Sequence, residues 1–292
     1  MNNINILDPN WVTGFVDAEG CFTTTLRNDK NYKTGWAIVP AFKIKLHKKD
    51  KELLNKIKSY FKEAGTIWNN NRAVYYTVCD KNEIMKVIIP HFEKYPLITQ
   101  KQADFILFKN IMELVNKGKH LDINFLEEII NIKASLNKGL SDKVKLYFPN
   151  ITAIDRPKVA LPLKIDYNWF AGFFSGEGCF FIGISKTNSV NLRIFVGQHS
   201  RDKLLINRFI DLLDCGSVKY SNDYITYSVN NFKNIYNIII PFFSLYRIEG
   251  VKLLDFQDFC RVGAIINKKA HLTEKGLKLI KTIKSKMNNN RV

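Results

Sequence analysis

WVTGFVDAEGCF, residues Trp11–Phe22, reads as an apolar helix that stops on a lone glutamate against a glycine. WFAGFFSGEGCF, residues Trp169–Phe180, repeats it 158 positions later. With the preceding Asn10 and Asn168 included, eight of thirteen positions coincide without a gap. The likeness continues downstream at an offset near 152: LHKKDKELLNKI (46–57) answers QHSRDKLLINRF (198–209), and AGTIWNNNRAVYYTV (64–78) answers CGSVKYSNDYITYSV (215–229). IIPHFEKYPL (88–97) answers IIPFFSLYRI (239–248), Lys101 and Asp104 answer Lys252 and Asp255, and NKGKHL (116–121) answers NKKAHL (267–272). A period near 150 residues is far too long for a solenoid repeat. It predicts two similar lobes related by a pseudo-twofold axis, as in a homodimer.

Within each half the periodicity switches between helix and strand. The repeated stretch predicts helices over 9–19 and 167–177, with Asp8 or Asn10 and Asp166 or Asn168 as N-caps. Runs rich in Thr, Phe, Ile and Val predict strands over 21–27 and 36–46, then 179–186 and 191–198. KDKELLNKIKSYF and RDKLLINRFIDLL carry apolar residues at i, i+3 and i+4 and predict amphipathic helices. Two further strands meet at NNNR (69–72) and SND (221–223), and helices follow over 82–92, 99–116, 232–242 and 250–266. The fold class is therefore α+β, with two αββαββα lobes. The proline-bearing stretch 148–166 reads as an extended linker between residues 1–147 and 167–292. The last residues, 282–292, read as a solvated helix end and a frayed terminus.

Composition limits the partners. The 44 Lys and Arg outnumber the 27 Asp and Glu, for a net charge of +17 and a pI near 9.5, which favours nucleic acid ahead of an anionic membrane surface. The five cysteines, Cys21, Cys79, Cys179, Cys215 and Cys260, include no CxxC, so a disulfide framework and a zinc cluster are not expected. The N-terminal residues lack the basic and apolar regions of a secretory signal, and no apolar run is long enough to span a bilayer.

On a helix, Gly14 and Ala18 share one face, as do Gly172 and Gly176. Small residues at that spacing let two backbones come close. A mid-helix glycine costs about 1 kcal/mol against alanine, and incurring it twice at matching positions points to packing. Glu19 and Glu177 fall at the helix C-termini, where Gly20 and Gly178 are expected to adopt the left-handed capping conformation. A carboxylate at the negative end of the helix dipole is unfavourable unless a cation offsets it. Mg²⁺ takes one or two carboxylates together with water and phosphate oxygens, so two such carboxylates in a basic chain point to metal-assisted phosphodiester hydrolysis. The alternative is a fused dimer interface whose glutamates merely face solvent.

WVTGFVDAEG and WFAGFFSGEG resemble the LAGLIDADG motif, and the chain is similar to a single-chain, two-motif LAGLIDADG homing endonuclease of the fungal mitochondrial intron-encoded type. The resemblance implies two packed motif helices joining the lobes and a four-stranded antiparallel DNA-binding sheet in each. It implies a monomer that cuts both strands of double-stranded DNA with Mg²⁺, two or three divalent ions in all, with Mn²⁺ or Ca²⁺ able to substitute in binding, and leaves short 3′ overhangs. Glu19 and Glu177 become the metal ligands, assisted by the carbonyls of Ala18 and Gly176. The earlier acid of the motif is Asp17 in one copy and Ser175 in the other, at a position that is usually structural. Gln198 would orient water; its counterpart is Leu46, which cannot, so the half-sites would be asymmetric. Lys101 and Lys252, with Thr99, are candidates for balancing charge near the metals.

Strand alternation nominates the DNA contacts: Thr23, Thr25, Arg27, Lys33, Lys43 and Lys45 in the first lobe, and Ser185, Lys186, Asn188, Asn191, Arg193, Lys219 and Tyr220 in the second. Arg and Lys suit guanine O6/N7 and Asn suits adenine, while contacts to phosphate position without specifying. The stretch RNDKNYKTGW (27–36) reads as a flexible basic loop that extends the footprint. His47 and His199, like His120 and His271, repeat in register and read as capping or structural histidines. Two other functions fit the same scaffold: an RNA maturase acting on host-intron RNA, and a non-cleaving DNA-binding protein.

Overall fold

Residues 7–118 and 122–291 are described by the structure, a computed structural model; His120 lies outside them. Helix α1 (Pro9–Glu19) runs directly into β1 (Gly20–Asn28), followed by β2 (Trp36–His47), α2 (Lys51–Tyr60), β3 (Thr66–Asn69) and β4 (Ala73–Val78). Helices α3 (Lys81–Glu83), α4 (Ile89–Lys94), α5 (Lys101–Asn116), α6 (Ile123–Ser135) and α7 (Asp142–Tyr147) come next. The pattern then repeats as α8 (Tyr167–Glu177), β5 (Gly178–Ile184), β6 (Val190–His199), α9 (Lys203–Leu213), β7 (Ser217–Ser221) and β8 (Tyr224–Val229). Helices α10 (Phe232–Asn234), α11 (Ile240–Leu245), α12 (Lys252–Asn267) and α13 (Glu274–Lys284) complete it. The strands form two four-stranded antiparallel sheets, ordered β1-β2-β4-β3 and β5-β6-β8-β7. The class is α+β.

By contacts the chain forms two units, one holding Glu19–Pro162 with the residues up to Pro9, the other holding Asn10–Ala18 with Leu163–Val292. The body of α1 thus clusters with the second unit, although the repeat places it at the head of the first half. Each unit has an aromatic core under its sheet. In the first, Phe22 meets Phe42, Phe92, Phe105 and Phe108 at centroid distances of 5.2–5.7 Å. In the second, Phe180 meets Phe174, Phe243, Phe256 and Phe259 at 5.1–5.5 Å. Tyr76 and Tyr227 end these cores in the same way, each hydroxyl donating to a carbonyl, that of Ala64 or Cys215.

Local chemistry explains the boundaries. Asp166 caps α8 by accepting from the amides of Asn168 and Trp169. Both IIP segments follow a π-turn, Ile84–Ile88 and Ile235–Ile239, because proline has no N–H to continue the i→i−4 ladder.

Several expectations are corrected. Neither Gly20 nor Gly178 has positive φ. Gly178 is extended at φ −76°, ψ 160°, so each motif helix passes straight into a strand without a left-handed cap. Glycine is needed there for room: a Cβ on Gly178 would lie 2.3 Å from the Phe174 ring. Strand β5 stops at Ile184, leaving Ser185 and Lys186 in the turn, where Ser185 and Ser189 bond each other through backbone and hydroxyl. The 27–36 stretch is not a loose loop. Arg27 and Asn28 belong to β1, and the turn is closed by Asp29 N–H to Gly35 O (2.8 Å) and Gly35 N–H to Tyr32 O (2.8 Å). The C-terminal residues are not frayed: Met287 is buried, Asn288 donates its side-chain amide to Phe180 O (3.1 Å), and Arg291 pairs with Asp255 (2.8 Å) and Asp258 (2.5 Å).

Candidate nucleic-acid interface and active site

Helices α1 and α8 touch backbone to backbone. A Cβ on Gly14 would lie 1.9 Å from the carbonyl oxygen of Trp169, and one on Gly172 would lie 2.0 Å from that of Trp11. The faces around the crossing are filled by the buried Trp11, Val12, Phe15, Trp169 and Phe173. Asp17 is buried and accepts from the indole N–H of Trp169 at 2.8 Å. Ser175 is too short for the equivalent bond. Its hydroxyl donates to Ala171 O at 2.8 Å and accepts from the Glu249 amide, and Trp11 donates to Arg247 O instead. The motif's earlier acid is therefore a tether between helices.

Glu19 ends α1 half-buried, with Ala18 before it, and Glu177 ends α8 exposed to solvent. Gln198, at the end of β6, donates its side-chain amide to Glu177 Oε1 at 3.2 Å. Leu46 holds the equivalent place in β2. Lys252, the first residue of α12, donates to the carbonyls of Phe174 (3.2 Å) and Gly176 (2.6 Å) in the last turn of α8. An ammonium on those carbonyls offsets the negative end of the dipole where Glu177 sits. Lys101 begins α5, its amide donating to the hydroxyl of the buried Thr99 at 3.1 Å, in the turn that leads into the helix. Burial pushes the Cys21 and Cys179 thiols up, with Lys101 and Lys252 respectively drawing them back down. The raised thiols leave both cysteines protonated at neutral pH, so neither is a nucleophile.

Sequence reasoning passed over Tyr224. Its ring lies over Gly197, where a Cβ would be 2.4 Å from it. Its pKa is raised, first by burial and then by the charge of Glu177. Only the β6–β8 register, which pairs Tyr224 with His199, one residue beyond Gln198, brings it to this end of the sheet.

The sheets present one open face each. In the first unit Phe22, Phe42 and Ile44 point into the core while Thr23, Thr25, Arg27, Lys43 and Lys45 alternate onto the other face. Arg27 pairs with Asp29 at 3.1 Å, and Lys33 sits exposed in the turn. The same face carries Trp68, 49% exposed, stacked on Tyr75 at 3.9 Å, with Lys45 Nζ 5.7 Å from the Tyr75 ring. In the second unit Asn191, Arg193 and Lys219 share the open face with Phe181 and Phe195. The Asn191 side chain fills the space above Gly183. Asn188 holds the hairpin turn at φ +62° and accepts from Lys281, while Lys186 is exposed in the same turn. Tyr220 is a correction. It pairs with Ile225, which faces the core, and its hydroxyl donates to Asn207 of α9 at 2.8 Å. Period-two alternation cannot put both Lys219 and Tyr220 on one face, and Tyr220 belongs to the helix side.

The histidines are structural where their roles can be read. The Nδ1 atoms of His47 and His199 each accept a backbone amide two residues on, that of Lys49 or Arg201. Among the described residues no group of three or more His, Cys, Asp or Glu side chains could hold a metal ion. The donors suited to a hard cation are thus single carboxylates, and such a cation would draw its remaining ligands from water and phosphate. No helix among the described residues is long and apolar enough to cross a membrane.

A LAGLIDADG endonuclease family model matches residues 12–112 and 170–263, both stretches beginning inside the motif helices. The chain is 41% identical to the probable intron-encoded endonuclease 2 of Neurospora crassa over 96% of its own length, and spans 65% of that relative. Among solved structures it is similar to the homing endonuclease I-GzeII in complex with its DNA target, with a TM-score of 0.94 and 41% identity over 98% of this chain and 100% of the other. It is also similar to I-SmaMI bound to cleaved DNA, with a TM-score of 0.94 and 38% identity over 98% of each.

Proposed function

Because the chain belongs to the LAGLIDADG endonuclease family, we propose that it is a homing endonuclease: a monomer that hydrolyses phosphodiesters on both strands of a specific double-stranded DNA site. Short 3′ overhangs and an organellar, intron-encoded origin belong to the same reading. The observation that carries it is the duplicated helix ending in a carboxylate, Glu19 and Glu177, in a chain of net charge +17. The two halves, residues 1–147 and 167–292 with 148–166 between them, would each supply one carboxylate and one DNA-binding sheet.

The residues fit a divalent cation. Glu19 and Glu177 supply hard oxygen donors, with the carbonyl of Ala18 beside the first. The Gly176 carbonyl already accepts from Lys252, so it serves a cation only through its other lone pair. Bound Mg²⁺ supplies Lewis-acid activation of water and neutralises the charge that develops on the phosphate. The protein's own groups do the rest. Gln198 fixes the Glu177 carboxylate by its hydrogen bond and has an amide oxygen with which to orient a water molecule. Lys252, and Lys101 as its repeat counterpart, hold positive charge near the helix ends. Thr23, Thr25, Lys43, Lys45, Asn191, Arg193 and Lys219 face the duplex, while Arg27, Lys33, Ser185, Lys186 and Asn188 meet it from strand ends and turns.

A library of double-stranded sites incubated with Mg²⁺ tests this. The expected result is double-strand breaks at one family of sequences, abolished by chelation and by Glu19→Gln or Glu177→Gln. Binding should survive in the variants and weaken steeply with salt, by roughly one power of salt concentration per phosphate contacted. Binding without cleavage at any site would instead make the chain a DNA-binding regulator. Promotion of intron splicing without DNA cleavage would make it a maturase.

A further inference from the structure

On the open face of the second sheet one reader is held unlike any other. Arg193 of β6 pairs across the ladder with Phe181 of β5, and Phe195 follows two residues along the same strand. The three side chains therefore stand side by side on one face. The Arg193 guanidinium carbon lies 4.9 Å from the centroid of the Phe181 ring and 4.9 Å from that of Phe195. Lys284 of α13 adds a second cation to the Phe181 ring, with Nζ 5.9 Å from its centroid. Arg193 Nε is buried and has no hydrogen-bond partner. The first half has Thr23, Ala41 and Lys43 at the corresponding positions, so the arginine-and-two-rings group is not repeated at that place in the first sheet.

A buried guanidinium nitrogen without a partner is costly, and aromatic flanks on a solvent-facing sheet expose apolar surface; neither serves folding. Together they do one thing well. The rings confine the long arginine side chain in advance, so little rotamer freedom is lost on binding. With Nε buried, the fork made by the two terminal nitrogens is what remains to present outward. A planar two-donor fork matches the O6 and N7 acceptors of guanine in the major groove. Phosphate also accepts this fork, but a flexible lysine serves there as a point charge, whereas bidentate reading of one base edge gains most from a guanidinium fixed in advance.

We infer that Arg193, pre-oriented by Phe181 and Phe195, is a specificity determinant that reads one guanine in the half-site bound by the second lobe. Phe181 and Phe195 are positioning residues. The inference rests on the endonuclease reading above and names a base contact within it.

Cleavage-site selection on a randomised double-stranded library, with equilibrium binding over a salt series, tests it. The wild-type profile should contain an invariant guanine in one half-site. Arg193→Lys, which keeps the charge and loses the fork, should relax preference at that position by about tenfold while leaving the others unchanged. Phe181→Leu and Phe195→Leu should relax the same position and no other, an outcome that a general loss of stability would not produce. If Arg193→Lys leaves the profile unchanged, or Arg193→Ala weakens all sequences equally and lowers the salt slope by about one, Arg193 contacts phosphate and the inference falls. A wild-type protein that selects no site overturns the endonuclease reading, and this inference with it.

Discussion

The Cβ that Gly14 lacks would fall 1.9 Å from the carbonyl oxygen of Trp169, and the mirrored contact, Gly172 to Trp11, would fall at 2.0 Å. Backbone meets backbone there, so no rotamer change can relieve an added methyl. Gly14→Ala should gain about 1 kcal/mol of helix propensity and still destabilise the protein, because overpacking against a rigid backbone costs about 3 kcal/mol, the upper end of the usual range. Gly172→Ala should behave alike. Urea denaturation measures both, and a variant as stable as the parent would show that α1 and α8 do not pack this closely.

Gln198 donates to Glu177, and Leu46 at the matching place in the first half has no group to do so. Gln198→Leu makes the halves alike. Nicking of a supercoiled plasmid carrying the selected site should then slow by about a hundredfold for one strand, the lower end of the typical worth of a group positioned for proton transfer. Affinity for the site should be unchanged. Equal slowing of both strands would mean that Gln198 does not serve one half-site alone.

Much of this was legible in the sequence because the signal was written twice. The repeat located both motif helices, the switch to period two located the strands, and their alternation separated Lys43 and Lys45 from the core-facing Phe42 and Ile44. What stayed hidden depended on tertiary partners. Tyr220 and Lys219 are both exposed and polar-tipped; alternation alone puts them on opposite faces, and only the register with β8 says which of the two turns to the helix side. The place of Phe181 and Phe195 beside Arg193 was not read from the sequence, since nothing local says that an arginine lies against them. The Gly178 conformation was misread because a glycine ending a helix usually relieves φ strain, whereas here it makes room for Phe174. Helix α6 could have been found, for Leu126, Ile129, Ile130 and Ile132 follow helical spacing behind the cap Asp122.

The C-terminal residues, which read as loose from sequence, close one half of a duplicated clamp. Asp255 Oδ1 accepts from the Asn288 amide (3.0 Å) and Arg291 Nε (2.8 Å), and the Asn288 side chain donates to Phe180 O. In the first unit Asp104 Oδ1 accepts from the Asn137 amide (2.9 Å) and Arg156 (2.8 Å), and Asn137 donates to Phe22 O. Asn137 and Asn288 both sit near φ +55°, a conformation asparagine tolerates better than most residues. Both aspartates are buried, so removing an arginine leaves a charge without its partner. Arg291→Ala, Arg156→Ala and truncation after Lys286 should each cost about 2–4 kcal/mol. A double-mutant cycle between Asp255 and Arg291 should give a coupling above about 1 kcal/mol; additive effects would show that the clamp does not act as a unit.

His91 sets an acid limit on stability. It is 8% exposed, shares a 3.1 Å hydrogen bond between Nδ1 and the Tyr60 hydroxyl, and is ringed by Phe61 and Phe92. Burial lowers its pKa from 6.5 to about 4. Below pH 6.5 the unfolded chain takes up a proton that the folded chain refuses, so stability falls as pH drops from about 6.5 to about 4. Integrated over that window the loss is roughly 3 kcal/mol, and above pH 6.5 this group contributes no slope. His91→Phe should flatten the pH dependence of the urea midpoint between pH 7 and pH 5 relative to the parent, whatever it does to absolute stability. A variant with the parent's slope would mean that other groups carry the acid sensitivity and that His91 is not held neutral.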